Sequence, residues 1–157
     1  MGSIDLDASK QAALEFLRVT ITGDLDALDA LLSEDCRIFV AGEFANSGWK
    51  DKTEFMAHMR RVGGGRGSMF AGDAHFDVGH VTAEADRVCI ETEIHGPLAA
   101  GGEYNNQFHW FFRTRHGRIV EVKEYMDTFH LARVVPGIEA VERPRPSSLS
   151  HVERRIP

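Results

Sequence analysis

The spacing of apolar positions places helices early in the chain and strands later. From Ser9, the segment KQAALEFLRVTITGD sets Ala13, Phe16, Leu17, Thr20 and Ile21 at helical spacing, and Gly23 supplies a stop. Asp24 is positioned to cap a second helix. Leu25, Leu28, Leu31 and Leu32 form its apolar stripe, and Asp26 and Asp29 suit the positive end of its dipole. The two helices are expected to form a hairpin. A short strand is predicted over 37–40 and a loop over 41–51, whose Asp51 caps a third helix carrying Phe55, Met56, Met59 and Val62. The stretch VGGGRG over 62–67 then reads as a hinge. It lacks the Gly-Lys-Ser/Thr signature and the strand-to-helix setting of a phosphate loop.

Four strands are predicted over 68–80, 87–95, 104–114 and 118–127, joined by turns rich in Gly, Asp or Pro. Helices followed by strands indicate an α+β fold: a curved antiparallel sheet wrapped around N-terminal helices, forming a cone with an internal pocket. A short helix follows Asp127, and the domain is assigned to 1–135. The Pro/Arg-rich tail over 136–157, with Pro144, Pro146, Ser147 and Ser148, is expected to be extended or disordered. Its Arg143, Arg145, Arg154 and Arg155 are expected to be solvated.

Strand alternation sorts the candidate pocket residues. Tyr104, Asn106, Phe108, Trp110 and Phe112 share one face, which should meet the helices. The aromatics form a wall, and Tyr104 and Asn106 either orient a ligand or bond only to backbone within an ordinary core. On the last strand Val120, Val122, Glu124 and Met126 form the mainly apolar row, so Glu124 points inward. Desolvation should raise its pKa and let it exchange protons near neutral pH; an open rim or an ion pair is the alternative. On the second long strand Val88, Ile90, Thr92 and Ile94 oppose Cys89, Glu91, Glu93 and His95. Simple alternation puts both glutamates outside, whereas strong curvature could bring the polar row to the cavity and set the apolar row against a second subunit. Alternation leaves that choice open.

Composition narrows the classes. A chain of 157 residues with 43% apolar and 27% charged residues fits one globular domain. A net charge of -6 opposes nucleic acid binding. No apolar run approaches the roughly 18 residues of a membrane helix, and the opening MGSIDLDASK lacks the basic and apolar regions of a signal peptide. No membrane partner and a cytoplasmic location are therefore expected. Cys36 and Cys89 are far apart without metal-type spacing and read as reduced thiols. His75, Asp77 and His80 cluster without a ligand motif, and parity puts the two histidines on opposite faces, so neither metal nor cofactor is expected.

The order of helix hairpin, short strand, helix and long strands ending in HGRIVEVKEYMDT resembles the superfamily of nuclear transport factor two. The resemblance is to SnoaL-like polyketide cyclases and limonene-epoxide-hydrolase-like proteins in particular, over about residues 9–135. It is most specific over 104–127, which holds the Gly117-Arg118-Ile119 turn and the Glu124-Tyr125-x-Asp127 pattern. This fold hosts hydrolases, isomerases, cyclases, dehydratases and binders.

Laid without gaps on a limonene epoxide hydrolase, the two catalytic aspartates fall on Glu93 and Glu124, which implies a cavity-facing Glu93. The arginine between them falls on Glu91, and the water-binding tyrosine and asparagine fall on Ile38 and Val40. Against ketosteroid isomerases, the oxyanion tyrosine falls on Phe16 and the aspartate base on Val40. Both chemistries lack parts.

The resemblance and the strand rows together nominate Glu124, Glu93 and His95 as catalytic, and Tyr104, Asn106, Phe108, Met126 and Glu91 as substrate-binding. The expected function is a cofactor-independent acid–base enzyme of isomerase, cyclase or lyase type. Its substrate would be a small hydrophobic oxygenated molecule, with aromatic and polyketide-like compounds as first candidates. The alternatives are a non-catalytic small-molecule-binding or dimerisation module and a hydrolase that activates water with paired carboxylates. A homodimer through the outer sheet face is expected, because Phe111, His109 and Gln107 would otherwise leave a mixed patch exposed.

Overall fold

A computed structural model describes residues 6–62 and 69–156; the glycine stretch over 63–67 and the predicted strand start at 68 lie outside the described residues. Helix α1 (Leu6–Thr22) stops at Gly23, whose φ of 76° is costly for a residue with a side chain. Asp24 then caps α2 (Leu25–Leu31), accepting the Ala27 N–H at 3.1 Å. Strand β1 (Leu32–Val40) follows without a loop.

The segment read as a loop over 41–51 contains a further strand, β2 (Gly48–Asp51), antiparallel to β1. Asp51 and Glu54 start α3 (Lys52–Val62) with a reciprocal capping box. Asp51 Oδ1 accepts the Glu54 N–H at 2.8 Å, and Glu54 Oε2 accepts the Asp51 N–H at 2.9 Å.

Strands β3 (His75–Glu84), β4 (Arg87–Pro97), β5 (Glu103–Arg115) and β6 (Arg118–Met126) form an antiparallel meander. Asp127, read as the last residue of a strand, instead caps α4 (Thr128–Val134) by accepting the His130 N–H at 2.9 Å.

The six-stranded sheet has the order β2-β1-β6-β5-β4-β3 and remains open. One amendment to the antiparallel expectation is needed, since β1 and β6 run parallel. The long excursion from β1 through β6 supplies the crossover that a parallel neighbour requires. The concave face wraps the helices. Phe16 of α1 lies 6.1 Å from Trp110 and 5.3 Å from Phe112 between ring centroids, both edge to face.

A bulge in β3 corrects the parity reading of its histidines. Val78 pairs with Thr92 and Val81 with Ile90, so Gly79 and His80 together oppose Glu91. His75 and His80 consequently share the convex face. His75 stacks on His95 at 5.4 Å, and His80 Nδ1 lies 2.9 Å from Glu91 Oε2.

The tail is extended and bonded to its own domain. Phe44 bridges Ala140, Val141 N–H donates to Glu43 O at 2.8 Å, and Trp49 Nε1 donates to Ser147 O at 2.8 Å. Farther on, Ser150 Oγ bonds Glu121 Oε1 at 2.8 Å on the convex face, so the tail covers part of the sheet.

Candidate active site

Between the concave face and the helices lies a cavity of about 260 Å³, lined mostly by apolar groups from α1, α3, α4, the strands and Ile138 of the tail. Tyr104, Phe108, Glu124 and Met126 are in its wall. Direct pairing of Phe108 with Met126 and of Trp110 with Glu124 explains this arrangement, because opposed residues project from the same face. Glu124 therefore stands in an apolar row, and its accessible part opens into the cavity. Burial pushes its carboxyl from 4.5 up to about 7, against the opposing pull of the Lys50 charge.

Lys50 was hidden in the segment read as a loop. It pairs with Ile38, an inward residue of β1, and so enters the cavity wall from β2. Its ammonium donates to the Asn46 carbonyl. Burial lowers its pKa, as does Arg143, while Glu124 and Glu54 raise it. His58 of α3 also lines the cavity, with its pKa lowered by burial and then by Arg61 and Lys50. Thr20 adds a buried hydroxyl on the α1 side that has no hydrogen-bond partner among the described residues. Its place on the helical stripe of α1 gives no sign of this in the sequence.

Tyr104 and Asn106 divide the role expected of both. Asn106 Nδ2 donates to Tyr104 Oη at 2.7 Å and to Asp127 O at 3.1 Å, while Asn106 Oδ1 accepts the Gln107 N–H at 2.7 Å. Asn106 is thus fully occupied behind the wall rather than lining the cavity. The Tyr104 hydroxyl accepts from Asn106 and keeps its own proton for a group inside. Burial drives its pKa up to about 12, so that proton is donated as a hydrogen bond and not released.

Glu93, His95 and Glu91 are not in the cavity. Ile94 and Thr92 face inward opposite Asn106 and Phe108, which turns Glu93 outward beside Gln107 and Glu91 outward beside His109. Gln107 Nε2 donates to Glu93 Oε1 at 3.4 Å, and His95 Nε2 lies 3.4 Å from Asp77 Oδ2 and 3.6 Å from Glu93 Oε2. A gap-free overlay is wrong by one strand parity here, because a slip of one residue exchanges the faces of a sheet. Glu91 and Glu93 line a broad open depression of about 710 Å³ on the convex face, where solvent screens them. Among the described residues no cluster of three or more His, Cys, Asp or Glu side chains is placed to hold a metal ion.

Neither thiol is an activated nucleophile. Burial raises Cys36 to about 12 and also raises Cys89, and the two are unpaired.

In sequence, residues 13–122 match the SnoaL-like domain. The chain belongs to the SnoaL-like family. Glu124 and the tail lie beyond the matched span. No curated protein is significantly similar in sequence.

Solved structures carry the same fold. An NTF2-like protein of unknown function from Burkholderia pseudomallei is 18% identical with a TM-score of 0.70, over 82% of this chain and 98% of that one. Bal32a from a soil-derived mobile gene cassette is 19% identical with a TM-score of 0.67, over 82% and 96%. An LEH-like epoxide hydrolase from M. tuberculosis is 18% identical with a TM-score of 0.60, over 82% and 89%. At these identities the likeness concerns the fold. No helix among the described residues is long and apolar enough to cross a membrane.

Proposed function

We propose that this protein is a cofactor-independent acid–base enzyme of isomerase, cyclase or lyase type, in which Glu124 moves a proton on a small hydrophobic carbonyl compound. The observation that carries the reading is one desolvated carboxyl, pushed up to about pKa 7, among the mostly apolar groups of the cavity wall. Such a group is present in both protonation states at neutral pH, the condition under which one residue can take a proton and return it. Glu124 removes a proton beside the carbonyl, and negative charge moves onto the carbonyl oxygen. The Lys50 ammonium and the Tyr104 hydroxyl are the donors available to that oxygen. Proton return at another carbon gives an isomerase, attack by the enolate carbon on a second carbonyl gives a cyclase, and loss of a β-substituent gives a lyase.

The hydrolase alternative loses its support with the outward placement of Glu93, because Glu124 is the one carboxyl in the described cavity wall. A homodimer through the part of the convex face left open by the tail remains our reading of assembly.

The test is a panel of enolisable aromatic and alicyclic ketones in deuterated water, with exchange at the α-carbon read by proton NMR. The reading expects exchange in the parent and its loss in Glu124→Gln. Binding without exchange for every ketone that binds would instead identify a ligand-binding module.

A further inference from the structure

We propose that Lys50 is a covalent site, whose amine forms an imine with an aldehyde or ketone held in the cavity while Glu124 moves the protons. The inference deepens the acid–base reading and rests on it for the role of Glu124.

The four lysines of the chain are not equivalent. Lys52 Nζ is held 2.7 Å from Glu34 Oε1 and 3.6 Å from Asp29 Oδ1. Lys123 Nζ lies 3.3 Å from Glu121 Oε1 and 4.9 Å from the Phe111 ring centroid. Both ammonium charges are fixed by carboxylates outside the cavity. Lys10 is on α1, away from the cavity wall. Lys50 alone lines the cavity, and its hydrogen bond goes to the neutral Asn46 carbonyl.

Charged groups reach Lys50 from several elements. Burial and then Arg143 of the tail favour its neutral amine, and Glu124 of β6 and Glu54 of α3 favour the ammonium. His58 of α3 shares the same wall. A desolvated amine beside a proton-exchanging carboxyl has both parts that imine formation requires.

The steps balance. The Nζ lone pair adds to the carbonyl carbon, the C=O π pair moves to oxygen, and that oxygen takes the proton of the Glu124 carboxyl. The nitrogen gives one proton to the Glu124 carboxylate, leaving a neutral carbinolamine. Glu124 then protonates the hydroxyl, which leaves as water while the nitrogen lone pair closes C=N. The products are one water, a protonated imine and the Glu124 carboxylate. That carboxylate faces the α-carbon proton, which the iminium acidifies, so enamine chemistry follows from the same pair of residues.

The full chain is incubated with 3-phenylpropanal and sodium cyanoborohydride, which reduces an imine to a stable amine, and the modified peptides are mapped by mass spectrometry. The expected result is saturable alkylation of Lys50 about tenfold or more faster than of Lys10, the least that holding a carbonyl beside the amine should provide. Glu124→Gln should slow it several-fold, and Lys50→Met should abolish the saturable phase. Labelling that follows exposure alone, with Lys50 unmodified although the unreactive alcohol 3-phenylpropanol binds, would overturn the covalent site. That outcome leaves the acid–base reading intact, since Glu124 is judged separately by its titration.

Discussion

Lys50 and Glu124 stand diagonally across β1, in the wall of one cavity. Lys50 pairs with Ile38 on one side of that strand, and Glu124 pairs with Val40 on its other side, two residues along. Each charge favours the ionised form of the other, while the shared apolar setting opposes ionisation of both. The balance keeps Glu124 near neutrality.

Glu124→Gln should leave the fold intact and remove at least about 99% of turnover, since general acid–base groups contribute roughly 10²-fold or more. The raised pKa also sets the sign of a stability effect. The neutral carboxyl is favoured in the folded state, so stability is full below pH 4.5, falls as pH rises through about 7, and levels off above. Gln cannot ionise and escapes that loss. The variant should gain up to about 3 kcal/mol at pH 8, less for whatever water the cavity admits to the carboxyl. Urea denaturation of both proteins at pH 5 and pH 8 checks this, and an equal difference at both values would contradict it.

Trp110→Ala should cost stability before chemistry. Trp110 is buried in the core beside Phe16 and Phe112, and its Nε1 donates to Thr92 Oγ1 at 3.0 Å. Truncation should destabilise by about 3–5 kcal/mol and leave Thr92 without that donor. Trp110 also lines the cavity, and unchanged denaturation with lost ligand binding would show that it serves the pocket rather than the core.

Arg143 should behave as the clamp of the segment that carries Asn46 and Lys50. Its guanidinium donates to Phe44 O at 3.0 Å and to Ser47 O at 2.6 Å. Arg143→Ala should destabilise by about 1–3 kcal/mol, because both carbonyls lose a charged donor. It should also speed amide hydrogen exchange within 43–51 more than elsewhere, and uniform exchange rates would argue against the clamp.

Glu93→Gln should change turnover by no more than about twofold, as expected for a solvated convex-face residue. A larger loss would return Glu93 to the chemistry. Light scattering at micromolar concentration should give a dimer, and a monomer would remove the convex-face interface.

Sequence periodicity was sufficient where a segment had one apolar row and a long partner. The β5 row from Tyr104 to Phe112 and the inward turn of Glu124 are of this kind, and Asp24 and Asp51 announce their helices through ordinary capping chemistry. It failed where the pattern was short or the ladder irregular. Gly48–Asp51 is too brief to show alternation, so Lys50 could be placed only through its partner Ile38. His80 changed face through a bulge. For Glu93 plain alternation gives the outward face that the structure has and the overlay gives the inward one, so local parity carries more information than distant likeness. Arg143 gave no local signal, because its partners lie nearly a hundred positions away in the chain.

The central claim is that Glu124 exchanges its proton near neutral pH inside the cavity. Its most direct test is a pH titration of protein labelled with ¹³C in the glutamate carboxyls, with the Glu124 signal assigned by its loss in Glu124→Gln. The titratable groups that share its wall are Lys50 of β2, Tyr104 of β5 and His58 of α3. The expected Glu124 midpoint is near pH 7, far above the 4.5 of an ordinary glutamate. A midpoint near 4.5 in the folded protein would contradict it.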